Sequence, residues 1–362
     1  MRLAWCRSTA HRDTAALIAE LRSRHDITLF DRRTVHDLVR LDFRQPFDLC
    51  VYELADTDDD AFLWPYVMHY PGIVRLRSAS LHHSRGTWLA RQRRGRDREA
   101  ELAFGRGDLT ASAIVASRVV VVADAYHAAA LEREYPDATI RVAPIGLNGA
   151  AAHRLKGDTK TPDEMSIGVL DRPLRHTIVE AVARARGAGA RLELLDGSSP
   201  DRVLDEADVV LFLPWPPSDD LTPAVAALAD GRPLVMFETH ASAGWPMLDP
   251  QTWLTRGIDV SDAPIAIAID PRDESHSLAL ALRRLAADPT LRDELGRSAH
   301  DWWQRHATVA HAVDAWTAIV EDAAALAAPR HPRDWPAHLT ADGTARAREL
   351  LAPFGASVDF LE

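Results

Sequence analysis

Three short stretches carry side chains able to bind or answer charge. "GIVRLRSASLHH", residues 72–83, ends an apolar strand-like run on Arg77-Ser78 and opens a helical segment on His82-His83. An arginine at a strand end cannot take up a proton at any working pH, but it binds phosphate or carboxylate. Histidines that start a helix are more often structural than catalytic. "VLDRPLRH", residues 169–176, places Arg172 and Arg175 between a strand-like run containing Gly168 and the start of a helix. "PPSDDLTPAVAALADGRP", residues 216–233, sets Asp219, Asp220 and Thr222 where a helix begins, and these residue types cap helices.

The elements that must position these residues alternate from end to end. In the first half the strand candidates are "RLAW", "ITLF", "DLCVYEL", "GIVRLR", "VVVVAD" and "TIRVAPI", separated by stretches with apolar residues three and four apart. "GLNGAAAHRLKGDTKTPD", residues 146–163, loses that periodicity and reads as a linker. A second series follows: "MSIGVL", "RLELLDG", "VVLFLPW", "PLVMFE" and "IAIAID", again with helical stretches between. Such alternation predicts an α/β protein with two doubly wound parallel sheets, residues 1–150 and 164–325, and a tail at 326–362. Ligands of these sheets gather outside the carboxyl ends of the strands, so two facing domains would line a cleft with strand ends, the Arg77-Ser78 tip among them. Trp302, Trp303 and Trp316 fall at helical spacing and read as core.

At 362 residues the chain suits two domains. No apolar run is long enough to span a membrane, and the start does not read as a signal peptide, so a cytoplasmic location is expected. Cys6 and Cys50, the only cysteines, are expected as buried free thiols. A net charge of −11 argues against nucleic acid as a partner. One segment runs against that balance: "RGTWLARQRRGRDRE" groups Arg85, Arg91, Arg93, Arg94, Arg96 and Arg98. Its plain reading is a solvated helical face; its sharper one is a patch for peripheral contact with an anionic membrane or a phosphate-bearing acceptor.

Four stretches, in order, resemble the two-domain (GT-B) glycosyltransferases, in particular the bacterial, retaining family 4 group. They are "DAFLWPYVMHYPGIVRLRSASLHH", "SRVVVVADAYHAAALEREYPDATIRVAPIGL", "ADVVLFLPWPPSDDLTPAVAALADGRPLV" and "LRRLAADPTLRDELGRSAHDWW". The resemblance extends to about residue 325. It implies transfer of a sugar, typically a hexose, from a nucleoside-diphosphate sugar to an acceptor, with no cofactor and no metal. Arg172 or Arg175 would compensate the diphosphate, and Asp219, with Asp220 and Thr222, would hold sugar or ribose hydroxyls. The backbone at Gly168 and Gly197 would approach the nucleotide, while Arg77, His82 and His83 would face the acceptor. Asp219 is the residue on which catalysis would chiefly depend.

Departures from the family pattern are concentrated at strand ends. Leu76-Arg77-Ser78 stands where relatives show Leu-His-Asp, and Pro173-Leu174 replaces their Lys/Arg pair. Ala226 and Pro214 occupy positions of a family Glu and Arg, "RSTAHRD" replaces a glycine-rich loop, and Pro144-Ile145-Gly146 replaces Pro-His-Gly. Such changes also fit a catalytically impaired, glycosyltransferase-like binding or partner subunit, or an enzyme using the same cleft for another phosphorylated substrate.

Overall fold

The computed structural model describes residues 1–8, 12–149, 164–170, 174–195, 199–257, 263–341 and 350–355. The apolar runs of the first half form β1 (Arg2–Cys6), β2 (Asp26–Phe30), β3 (Leu49–Leu54), β4 (Ile73–Leu76), β5 (Val119–Val122) and β6 (Ile140–Val142). All pair in parallel, in the order β2-β1-β3-β4-β5-β6. Alternation along the strands sends Leu3, Trp5, Val51, Ile73 and Val121 to one face and Ala4, Cys6, Tyr52, Val74 and Val120 to the other. Both faces are buried, which is why the strands read as nearly continuous apolar runs. Cys6 and Cys50 are free and buried. Entry into β4 depends on Gly72, where a Cβ would lie 2.0 Å from the Cys50 carbonyl oxygen.

The second half forms β7 (Met165–Val169), β8 (Leu192–Leu195), β9 (Val209–Phe212), β10 (Leu234–Phe237), β11 (Met247–Leu248), β12 (Thr255–Arg256) and β13 (Ala266–Ile269). Their order is β12-β11-β13-β10-β9-β7-β8, parallel except for the antiparallel edge pair β11-β12. These two strands have two residues each, too short to leave a periodic signal in the sequence. Strand order reverses once in each sheet, beside β1 and β3 in the first and beside β7 and β9 in the second. Those reversals open crevices at the carboxyl ends, where ligands of such sheets bind.

The chain then returns to its first half. Helix Pro289–His306 buries Leu295, Ala299 and Trp303 in the second lobe. Helix Val309–Ala325, which periodicity groups with the second domain, instead covers the first sheet, with Trp316 buried 5.0 Å from Trp5. An amphipathic helix specifies that it must cover something, but not which sheet. Between these two helices the Leu147 amide donates to the Ala307 carbonyl at 3.1 Å. Gly146 permits that approach, since a Cβ there would meet the Ala312 Cβ at 2.4 Å. Trp302 is partly buried against the second-lobe core. Farther on, Trp335 and Leu339 plug the first lobe's other face, and Trp335 meets the Phe104 ring edge-on at 5.2 Å. The linker stretch from residue 150 to 163 lies outside the described residues. No helix among the described residues is long and apolar enough to cross a membrane.

Candidate active site

The first lobe presents a buried ionic cluster at the carboxyl end of its sheet. Arg75 lies within β4 on the face covered by Trp316, whose ring is 5.8 Å from its guanidinium. There it meets Asp13 at 2.6 Å and the Thr14 hydroxyl at 3.2 Å, both on helix Arg12–Leu21. Arg77, just past β4, donates to both Asp13 oxygens at 3.1 and 3.2 Å and to Glu53 of β3 at 3.3 Å. Glu53 also accepts from the Trp5 indole at 2.7 Å and the Thr14 hydroxyl at 2.9 Å. Charges this deep require such partners, because removing them from water costs several kcal/mol per ion. Burial pushes the Asp13 carboxyl up, but the Arg75 and Arg77 guanidiniums outweigh it and hold the group well below the usual carboxylate range. Burial likewise opposes the Arg77 charge, and Asp13, Asp220 and Glu53 more than restore it.

The second lobe answers with the loop after β9. The Asp220 carboxylate lies just ahead of helix Thr222–Ala229, accepting from the Thr222 amide at 3.1 Å and its hydroxyl at 2.6 Å. Across the lobes, Arg77 reaches both Asp220 oxygens at 3.4 Å and the Thr222 hydroxyl at 3.0 Å. The Ala79 amide donates to Asp219 at 3.2 Å. Arg12 and Asp201 form another contact between the lobes.

Behind this junction, Asp124 caps helix Ala125–Glu134 by accepting from the His127 amide at 2.7 Å. Burial lowers the His127 pKa against the opposing pull of Asp124 and Asp219, with His240 adding to the lowering. Burial raises the Asp124 pKa, the His127 amide offsets part of it, and Asp219 adds to the rise. His240 stacks on Tyr126, ring centres 5.7 Å apart and planes 5° from parallel, another link between lobes. The void bounded by Arg75, Arg77, Asp124, His127, Asp219 and Asp220 measures about 20 Å³. That is room for a water molecule at this point; a second space between the lobes, lined by Arg12, Ala16, Leu204 and Ala226 among others, measures about 200 Å³. The facing strand ends therefore meet through charged and hydroxyl groups of both lobes, with the Arg77 Nε buried and without a hydrogen bond.

The site residues read from the sequence fall into three groups. Arg77, Asp219, Asp220 and Thr222 come together at the junction. Arg175 lies at the carboxyl end of β9 but is engaged elsewhere: it forms a two-pronged pair with Glu274, at 2.8 Å for one prong, and donates to the Leu213 carbonyl at 2.9 Å. Its guanidinium lies 5.8 and 5.3 Å from the Trp215 and Phe237 ring centres. Gly168 is inside β7, and its bare face serves packing, since a Cβ would meet Val203 at 2.4 Å. His82 and His83 begin helix His82–Arg91 and are exposed, His83 lying 3.8 Å from Asp58. Arg172 and Gly197 lie outside the described residues.

Within the arginine-rich segment, Arg85 departs from the expected exposed patch. It is buried in a two-pronged pair with Glu101 at 2.5 and 2.8 Å, between the rings of Trp64 and Trp88. Arg91, Arg93, Arg94, Arg96 and Arg98 are exposed. Asp13, Glu53, Asp124 and His127 are the junction residues that the sequence reading missed. Glu53 and Arg75 did leave a signal, each a charge inside an apolar strand run, and a charge so placed demands a buried partner.

No protein-family model matches this chain, and no curated protein matches it by sequence. Solved structures match it in shape. Anabaena Alr3699/HepE, solved in complex with UDP and glucose, superposes with a TM-score of 0.57 at 12% identity, covering 89% of this chain and 99% of its own. Phytolacca americana UGT2, complexed with UDP-2fluoro-glucose and pterostilbene, gives 0.50 at 11% identity over 88% and 99%. TarM gives 0.50 at 11% identity, over 78% of this chain and 57% of its own. These neighbours are GT-B glycosyltransferases, and the chain has the GT-B architecture: two Rossmann-like lobes with a helical ending. At such identities the likeness is one of fold.

Proposed function

We propose that the protein is a glycosyltransferase that moves a sugar from a nucleoside-diphosphate sugar to an acceptor held by the first lobe. The observation that carries this reading is the meeting of two parallel-sheet carboxyl ends, with Asp219, Asp220 and Thr222 of one lobe against Arg77 and Ala79 of the other. The UDP and UDP-sugar complexes of HepE and UGT2 support it, as does the family 4 resemblance, which adds retention of configuration without a metal. In the reaction an acceptor oxygen bonds to the anomeric carbon, the bond from that carbon to the diphosphate oxygen breaks, and the acceptor proton leaves with the nucleotide or to His127.

The Arg77 links to Asp220 and Thr222 occupy groups that this reading assigns to substrate, so they must break before a donor takes those groups. Once released, Asp219 and Asp220 are available to sugar hydroxyls and Arg77 to an anion, with Arg172 or Arg175 on the diphosphate. Positioning and leaving-group stabilisation then carry the rate.

The engagement of Arg77 by Asp220 and of Arg175 by Glu274 favours a second reading, a glycosyltransferase-like partner subunit without turnover. Calorimetric titration with UDP-, GDP- and dTDP-sugars separates the two. Saturable binding followed by nucleotide release is expected for the enzyme, with Asp219→Ala weakening donor binding about tenfold; binding without release assigns the partner role. Absence of binding for every donor would overturn both.

A further inference from the structure

A groove of about 700 Å³ lies on the second lobe, with no first-lobe residue in its lining. Three pieces of chain form it: the turn between helix His176–Gly187 and β8, the last two turns of helix Glu274–Ala287, and the loop between β11 and β12. Its volume is within the range of small-molecule sites, roughly 300–1,000 Å³. The loop brings Trp253 to the groove with a backbone φ of 59°, a conformation that bulky side chains rarely adopt. The buried Asp249 imposes it. Its carboxylate accepts from the Gln251 and Thr252 amides, each at 2.8 Å, its carbonyl accepts from the Trp253 amide at 2.8 Å, and its own amide donates to the Leu254 carbonyl at 3.0 Å. Such conformations persist only where the surroundings over-determine them, and they gather at ligand clamps. Trp253 is partly buried against the core of the lobe, which leaves the rest of it to the groove.

Every charged residue in the lining is an arginine: Arg191, Arg283 and Arg284. In a chain of net charge −11, a groove lined by positive charge alone stands apart, and a lining of one sign concentrates ions of the other. Arg284 is shared between Trp253, whose ring centre is 5.8 Å from its guanidinium, and Asp288, 3.4 Å away. Arg191 is engaged within the protein. Arg283 is exposed and forms no hydrogen bond or ion pair among the described residues. Cations suit the carboxyl end of a helix, which accounts for Arg283 and Arg284 at the end of theirs. It does not account for an indole held in a rare backbone conformation beside them. Guanidinium forks take phosphate oxygens, and an indole face takes the flat ring of a base by stacking.

We infer that this groove binds a nucleoside monophosphate, its base against Trp253 and its phosphate among Arg191, Arg283 and Arg284. The site is independent of the sugar-transfer reading, because none of its residues belongs to the lobe junction.

AMP is the probe, since adenine is outside the donor panel above, and adenosine and inorganic phosphate are its two halves. Calorimetric titration of the full chain is expected to give one AMP per chain, with adenosine and phosphate each at least tenfold weaker. Arg283→Glu and Trp253→Gly should each weaken AMP about tenfold, whereas Ala287→Trp, which fills the groove from an exposed helix end, should abolish binding. Glycine is at ease at the backbone angle of Trp253, so that variant keeps the turn while removing the ring. Circular dichroism melts check that each variant is folded; Arg283→Glu and Ala287→Trp, both at exposed positions, keep the test decisive should Trp253→Gly not fold. No saturable AMP binding, equal affinity for adenosine or for phosphate alone, or affinity unchanged by Ala287→Trp would overturn the inference.

Discussion

The two ends of the first sheet are opposites. At its carboxyl end, Arg75 and Arg77 share Asp13 and Glu53, and the second lobe adds Asp220 and Thr222, leaving about 20 Å³ unfilled. At its amino end, a groove of about 520 Å³ stays open over Phe104, Ile114 and Val115. The same sheet thus supports a polar junction filled from both lobes at one end and an open groove at the other. A junction whose polar groups already bond one another must release them before they can hold a substrate.

The strongest way to break the carboxyl end is to remove its central anion. Asp13→Ala leaves two buried guanidiniums short of a partner and should lower unfolding free energy by about 3–5 kcal/mol, read from urea denaturation. A pH arm sharpens this. The folded-state pKa of Asp13 is depressed, so its contribution is present above about pH 4 and is lost as pH falls below that toward the folded value. Asp13→Asn should flatten that loss.

A smaller effect is expected from Asp220→Ala, which cuts the partly exposed link between lobes and should cost about 1 kcal/mol or less. Hydrogen exchange at residues 77–83 should nevertheless accelerate severalfold, while exchange at residues 117–120, at the other end of the sheet, stays unchanged; coupled changes at both ends would dissolve the contrast between them.

The smallest effect concerns His127, which faces Asp124, Asp219 and His240. Its folded pKa lies below the ordinary value of about 6.5, so its neutral form stabilises fully above that pH, and the contribution declines as pH falls from there to the folded value. Wild type should lose under about 1 kcal/mol across that window, and His127→Gln should not.

Legibility in the sequence followed chain distance. Parallel strands were readable because burial on both faces makes them continuous apolar runs, and Asp219, Asp220 and Thr222 were readable because helix starts attract those types. Arg77 was visible at a strand end, but its engagement by Asp13 and Glu53 was not, since neither periodicity nor spacing reports pairing across 64 or 24 residues. Arg85 shows the converse, since its place in a run of arginines hid its burial against Glu101, 16 residues away. Two-residue strands and the sheet chosen by helix Val309–Ala325 lie below the resolution of any local pattern.

That last helix also bears on how the protein is made. The face formed by Leu3, Trp5, Val51, Ile73 and Val121 is finished by residues more than 300 positions into the chain, and the opposite face by Trp335 and Leu339. Synthesis proceeds from the amino terminus at roughly 5–20 residues per second, so the first lobe emerges from the ribosome long before its lining does. Its oily faces must wait, shielded by loose collapse or by a chaperone, until the closing helix arrives. A fragment ending at residue 149 would therefore carry every strand of its sheet and still be sticky.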